Sequence, residues 1–499
     1  MKKVFAVILM VVMLVSALSV IAACDLGNDE LTVYFYHTMG QNLQAVLDKH
    51  IAEFNKIYPN IEIVHSQEGG YPDVRDKVSQ ELMVGEGPQM AYCYPDHVAL
   101  YNIGRQVVDL YDYMNSTEVI PAGSEFGNET EIKVGLTAEE EANFIDGYLA
   151  EGTQFVNTDE MLTLPFSKST EVLYYNETFF TKNNLKVPTH WWCGESCPAD
   201  CDTSMEYVCA KIKEIDPKAK PLGYDSEANW FITMCEQLGT DYTSIVPKTS
   251  PLDPSKVTYY TFYNDKNIDF LERLNSWYQK GWVTTQTLYG SYTSGLFTTI
   301  DASKEKSYMS IGSSAGATHQ RPAEVGGKYP FNVGIATIPQ ADQSRRKVIS
   351  QGPSVCMLNT GSETQLMATW LFIKYLTTSV EFQTEFSMAS GYMPVLENVA
   401  DEELAKTNKA VAKYVDFIKN ADGGDNIAAL SAKVAIEQAD AYYTSPAFVG
   451  SSTARDEMDI LLAKVLGMKG EDIRAQIDSA LKTALQTCES TNKTPQPNA

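Results

Sequence analysis

Residues 164–192 read LPFSKSTEVLYYNETFFTKNNLKVPTHWW. A Leu-Pro-Phe entry opens into a small polar loop, Ser167-Lys168-Ser169-Thr170. The β-branched and aromatic run Val172-Leu173-Tyr174-Tyr175 predicts a buried strand. Asn176 can cap a short helix carrying Phe179 and Phe180, because its side-chain oxygen accepts from free N–H groups at a helix start. Pro188 stops the chain, and Trp191 and Trp192 present two adjacent indoles.

Upstream, Leu31 to Tyr36 is β-rich and predicts a first strand, with the loop His37 to Gln41 after it. Leu43, Leu47, Ile51 and Phe54 recur at helical spacing, so a helix is expected over 42–57. Pro59-Asn60 turns the chain into a second strand, Ile61 to His65. Strand, helix, strand implies a parallel sheet. Ligands of such sheets sit beyond the carboxyl ends of the strands, which makes Gln41 a candidate contact. Gly69-Gly70-Tyr71 is a turn, and Val74, Val78 and Leu82 mark a helix. A strand over Gly87 to Tyr94 ends in Pro95-Asp96; Tyr94 and Asp96 stand at its tip, although Asp96 could equally cap a helix. Residues 123–160 hold the acidic run Glu139-Glu140-Glu141 and no strong apolar run; a surface excursion with one helix is expected.

Downstream, Cys193, Cys197, Cys201 and Cys209 fall within 17 residues. Four thiols could hold a soft metal ion or pair as disulfides. The spacing departs from paired zinc knuckles and no His lies within the cluster, so disulfides are the expectation, free thiols the next alternative, and no metal site is expected. Helical spacing returns at Phe231, Met234 and Leu238, at Phe270, Leu274 and Trp277, and from Met367 to Leu376. A single final helix is expected over 460–485, with a polar tail over 487–499.

The chain has 499 residues and a net charge of −25, which excludes a basic nucleic-acid face. Lys2-Lys3, the apolar Val4 to Leu18 and the small residues before Cys24 resemble a bacterial lipoprotein signal. That resemblance implies a signal peptide over 1–23, lipid on Cys24 and a tether over 24–30. Catalytic signatures are missing: there is no G-x-S-x-G, H-E-x-x-H, P-loop or G-x-G-x-x-G. Six histidines are scattered, and carboxylates such as Asp401-Glu402-Glu403 read as a solvated helix start. No catalytic residue, cofactor or enzymatic activity is expected.

The LPF-x-x-ST-x-x-LYYN stretch, the early strand–helix block and Ser390-Gly391-Tyr392-Met393-Pro394-Val395 together resemble the extracellular solute-binding proteins of ABC importers, in the sugar and glycerol-3-phosphate branch related to maltose-binding proteins. The resemblance runs over about residues 31 to 486. It implies an α/β, two-lobed, periplasmic-binding-protein-like fold (type II) with a hinge and a central cleft. The expected lobes are 31–165 plus 312–362, and 166–311 plus 363–486. Carried over position by position, it implies ligand contacts at Tyr71, Tyr94, Asp96, Ser169, Trp191 or Trp192, Trp230, Ser313 or Ser314, Gly352 and Tyr392. Trp192 and Tyr392 are expected to face each other across the solute. Glycerol-phosphate binders carry an Arg about where this chain has Val449 to Ser452, and Arg455 aligns with a later, structural Arg. The resemblance therefore implies a neutral sugar as solute, or alternatively glycerol-3-phosphate or a diester. It also implies a monomer lipid-anchored at the outer face of the bacterial cell membrane, which works with importer permease subunits and binds no nucleic acid.

Overall fold

The computed structural model describes residues 31–156, 158–194, 197–422 and 426–491. Cys24, the signal peptide and the tether lie outside these residues, as do 492–499 of the expected tail. No described helix is long and apolar enough to cross a membrane.

Two sheets organise the chain. The first runs, in spatial order, Glu62–Gln67, Thr32–His37, Met90–Cys93, Ser354–Met357 and Leu164–Pro165. Its first three strands are parallel, as the strand–helix–strand pattern requires, and the last two pair antiparallel. The helix Gln41–Ile57 buries Leu47 and Phe54 in this core. The second sheet runs Val283–Thr285, Leu222–Tyr224, Met309–Ser313, Ser169–Asn176, Val348–Gln351 and Tyr442–Tyr443, and Val333–Ala336 also pairs with Ser169–Asn176. Trp191, Trp230 and Trp277 lie in its core, which is covered by Met205–Ile215, Glu227–Leu238, Asp265–Gln279, Ser451–Gly467 and Ile473–Thr491.

The quoted stretch joins the two. Leu164–Pro165 is the edge of the first sheet, and Ser169–Asn176 is a central strand of the second. Phe166 sits between them, packed edge-on against Tyr92, Phe382 and Phe386 in the first core. Asn176 caps the following helix as expected, its side chain accepting from Phe179 N at 2.8 Å. The chain returns through Gln351-Gly352-Pro353-Ser354 beside the outgoing segment. Phe166 N and Ser167 N both donate to Pro353 O, at 3.1 and 3.2 Å.

Several expectations are corrected. Met309–Ser313 through Val348–Gln351 pair in the second sheet, so most of 312–362 does not join the first lobe. The helices Glu363–Thr378 and Val380–Ser390 bury Trp370, Phe372, Phe382 and Phe386 against the first core rather than the second. The single final helix is two, Ser451–Gly467 and Ile473–Thr491, separated by a turn in which Gly470 and Asp472 take positive φ. The excursion at 123–160 has two short helices, Ala138–Ala142 and Asp146–Ala150, and leads into a buried residue, Glu151. No disulfide links the described cysteines, and Cys209 is buried on the helix Met205–Ile215, apart from the other three thiols.

Candidate functional site: the cleft between the sheets

A cavity of about 60 Å³ lies where the two bodies meet. It has room for about four water molecules in this arrangement. Tyr94, Pro95 and Asp96 line it from the first body, at the carboxyl end of Met90–Cys93 and the start of the helix Pro95–Tyr101. Ile232, Tyr242, Thr243, Ser451 and Arg455 line it from the second, and Glu151, Ser350, Gln351 and Thr444 form its inner wall.

On the first-body side three tyrosines converge. The rings of Tyr71 and Tyr94 are 4.5 Å apart, and Tyr71 hydrogen-bonds to Tyr392. Burial, and then the neighbouring phenol Tyr392, hold Tyr94 above the ordinary tyrosine range, so all three hydroxyls stay neutral donors and acceptors. Asp96 is not a helix cap, since Tyr94 occupies that position. Its carboxylate accepts from Ser452 Oγ of the second body at 2.9 Å.

On the second-body side a buried polar chain sets one guanidinium. Glu171, inside the strand Ser169–Asn176, accepts from Tyr224 Oη at 2.5 Å and from Asn229 Nδ2 at 2.9 Å. Asn229 Nδ2 also donates to Gln351 Oε1 at 3.0 Å, and Asn229 Oδ1 accepts from Arg455. Arg455 is held in its charged form: burial works against the charge, and Asp96, Tyr242, Asp459 and Tyr94 outweigh it. No carboxylate among the described residues hydrogen-bonds to it. Burial pushes the Glu171 carboxyl up to about 7, against the hydrogen bonds of Tyr224 and Asn229 that favour its charged form. The resulting pocket offers aromatic faces, neutral hydroxyls, amide groups, the carboxylates of Asp96 and the Lys168-paired Glu151, and one positioned guanidinium, a set suited to a polyhydroxylated solute.

The expected contacts separate into groups. Tyr94 and Asp96 line the cavity; Tyr71 and Tyr392 do not line it and lie beside Tyr94, through the Tyr71–Tyr94 ring contact and the Tyr71–Tyr392 hydrogen bond. Ser169 and Gly352 lie on the paired crossing segments, where Ser169 pairs with Gln351. Ser313 and Ser314 are engaged within the second body: Ser313 Oγ accepts from Ala315 N at 3.3 Å, and Ser314 Oγ from the distant Thr170 N at 3.2 Å. Gln41 is exposed in the first turn of its helix and does not line the cavity. The indoles are corrections. Trp191 is fully buried in the second core and donates to Gln237 Oε1 at 2.8 Å. Trp192 packs on Trp277 with the Arg273 guanidinium over its ring, 4.7 Å from the centroid, and does not face Tyr392. Trp230 is buried and stacked on Tyr224, 4.8 Å between ring centroids. Arg455, read from sequence as a structural residue, is a cavity residue, and Glu171, Asn229 and Gln351 were not anticipated. A glutamate within an apolar strand is the signal that could have found Glu171, because a buried carboxylate needs a reason to be there.

Residues 49–413 match the family model for bacterial extracellular solute-binding proteins. The chain is 22% identical over 383 residues to the sn-glycerol-3-phosphate-binding periplasmic protein UgpB of Escherichia coli K12, covering 75% of this chain and 77% of that one. UgpB from Mycobacterium tuberculosis in complex with glycerophosphocholine superposes with a TM-score of 0.64 at 15% identity, covering 92% of this chain and 99% of that one. The ABC substrate-binding protein Lmo0181 from Listeria monocytogenes in complex with cycloalternan gives 0.64 at 15% identity, over 92% and 98%.

Proposed function

The chain belongs to the bacterial extracellular solute-binding protein family, and from that premise we propose that it captures a carbohydrate in the cleft between its two sheets and hands it to the permease subunits of an ABC importer. The observation that carries the reading is the convergence of Tyr71, Tyr94 and Tyr392 with Asp96 beside the cavity. Sugar C–H faces rest on aromatic rings, while hydroxyls need paired donors and acceptors. Tyr71, Tyr94, Asp96, Gln351, Tyr392 and Arg455 are the proposed contacts, and Gly352 and Ser169 serve the hinge. Of the three relatives above, one is named for binding sn-glycerol-3-phosphate, and the other two were solved in complex with glycerophosphocholine and with cycloalternan. The protein acts as a monomer held to the outer face of the cell membrane by lipid on Cys24.

A second reading is favoured by Arg455. Its side chain lines the cavity, stays charged and hydrogen-bonds to an amide rather than a carboxylate. A phosphoester oxygen would complete that guanidinium, so the solute of this reading is glycerol-3-phosphate or a glycerophosphodiester. Calorimetry with neutral oligosaccharides, glycerol-3-phosphate and glycerophosphocholine separates the two. Neutral oligosaccharides are expected to bind, and Tyr392→Ala is expected to weaken them about fivefold, from the loss of roughly 1 kcal/mol of aromatic contact. Binding of the phosphoesters alone, salt-sensitive and lost in Arg455→Gln, would replace the first reading by the second.

A further inference from the structure

We propose that His190, Cys193, Cys197 and Cys201 hold one zinc ion that locks the surface loop following the quoted stretch. His190 Nε2 lies 3.8 Å from Cys193 Sγ, 3.6 Å from Cys197 Sγ and 3.3 Å from Cys201 Sγ. All four ligand atoms fall within 4.8 Å of one another. Zinc at about 2.3 Å from thiolates and about 2.0–2.1 Å from an imidazole, with tetrahedral angles, requires N···S edges near ~3.6 Å. The three distances bracket that edge.

A disulfide does not account for this geometry. It would join two of the three thiols and leave the third, with the imidazole aimed at all of them, unused. The described cysteines are free thiols. The other imidazole nitrogen has its own partner, since His190 Nδ1 lies 3.2 Å from Thr189 Oγ1. Donation from Nδ1–H to that hydroxyl leaves the Nε2 lone pair for a metal, which is the usual orienting contact of a ligating histidine.

The scaffold is set before any ion arrives. Thr189 N donates to Thr203 O and Met205 N to His190 O, at 2.9 and 2.8 Å, so both ends of the loop are pinned. Gln340 N donates to Thr189 O at 3.1 Å and ties the base to the second body. Cys197 N to Gly194 O and Cys201 N to Pro198 O, both 3.1 Å, form two turns that bring the thiols round. Between Cys193 and Thr203 the sequence offers only Pro198 and Ala199 as apolar residues beside the thiols. Such a loop has no core of its own to fix it, and a metal clip supplies what packing does not. Three thiolates and one imidazole are a soft tetrahedral set with every position filled by protein, which selects zinc in a structural role with no open position for catalysis.

The test uses the full chain, loaded with zinc, dialysed and measured for metal by mass spectrometry. About one zinc per chain is expected, falling below about one tenth in Cys197→Ser and in His190→Ala, while Cys209→Ala, whose thiol lies in the core, retains it. Cobalt substitution is expected to give the intense visible bands of a tetrahedral thiolate site, absent in the same two variants. Because a variant could misfold, the wild-type chain is also titrated with a thiol reagent: three thiols are expected to react quickly only after a chelator is added. Zinc content unchanged by both ligand variants would overturn the proposal. So would three thiols that react equally fast with and without chelator, or a disulfide-linked 193–201 peptide from the zinc-loaded chain.

Discussion

Glu171 is a buried carboxylate in the strand Ser169–Asn176, directly before the apolar and aromatic run Val172 to Tyr175. Its pKa is pushed up to about 7, first by burial, with Tyr224, Asn229 and Arg455 pulling the other way. The folded chain therefore keeps a proton that the unfolded chain has already released, between about pH 4.3 and pH 7. A raised carboxyl pKa means that stability is full below the unfolded value and falls as pH rises toward 7, then levels off. The whole effect is about 3 kcal/mol. Glu171→Gln stays neutral and keeps a donor and an acceptor, so its stability relative to wild type is expected to rise by about 1–3 kcal/mol between pH 4.5 and pH 7.5. Denaturant midpoints of both proteins across that range measure it, and a constant difference would mean that Glu171 titrates normally. Reading single residues from sequence led to Tyr94 and Asp96, which line the cavity at the end of a strand and the start of a helix, and to Tyr71 and Tyr392, which bond to each other beside Tyr94. It failed for Trp191 and Trp192. A large ring satisfies a core and a binding face equally well, and in the irregular segment around Trp191 and Trp192 no helical or alternating period shows which way each indole points.

The crossing segments join the two bodies. Lys168 lies between them with its side chain fully buried, its Nζ donating to Glu151 Oε1 at 2.7 Å and to Ser354 Oγ at 2.9 Å. Its backbone is bonded on both sides to Met393, N to O at 3.0 Å and O from N at 2.6 Å. Gly352 faces it with φ +102°, and a Cβ there would lie 2.6 Å from Ser167 O. Both residues hold outgoing and returning chains in contact. Lys168→Met is expected to cost about 3–5 kcal/mol, because it leaves Glu151 buried without its cation, and adding Glu151→Gln is expected to recover a large part of that. Urea unfolding of the single and double variants checks this; equal losses in both would assign the cost to packing rather than charge. The strand–helix–strand opening and the entry into Ser169–Asn176 were legible because alternating and helical periods are local properties. The membership of residues 363–390 was not, because an amphipathic helix shows that it packs on something without showing on which sheet. Lys168 was read as part of a polar loop for a related reason: its partner Glu151 lies 17 residues upstream, in a segment whose acidic run looks solvated.

At the scale of the molecule, two bodies share a cavity, and two side-chain contacts join the helix Ser451–Gly467 to the first body beside it. Ser452 Oγ donates to Asp96 Oδ2 at 2.9 Å, and Arg75 reaches Asp456 at 3.3 Å. Both contacts run from the helix Ser451–Gly467, which also supplies Arg455, to elements of the first body. They form only when the bodies are together, so they favour the closed arrangement. A solute that touches both walls draws on the same equilibrium, and its apparent affinity falls with the fraction of chains able to close around it. The Arg75–Asp456 pair is partly exposed and worth at most about 1 kcal/mol, and the Ser452–Asp96 bond, which involves a charged acceptor, about 1.5–3 kcal/mol. Ser452→Ala is therefore expected to weaken solute binding by about tenfold or more and Arg75→Ala by severalfold at most. The loss should appear mainly as faster release. Because neither variant touches the hinge, stability in the absence of solute should change by less than about 1 kcal/mol for Arg75→Ala. Small-angle scattering supplies the second readout: the radius of gyration of the wild-type chain should shrink when solute is added, and Ser452→Ala should need more solute for the same change. Unaltered affinity in Ser452→Ala, together with a radius that solute does not move, would show that these contacts ride on a rigid interface and that solute enters without the bodies parting.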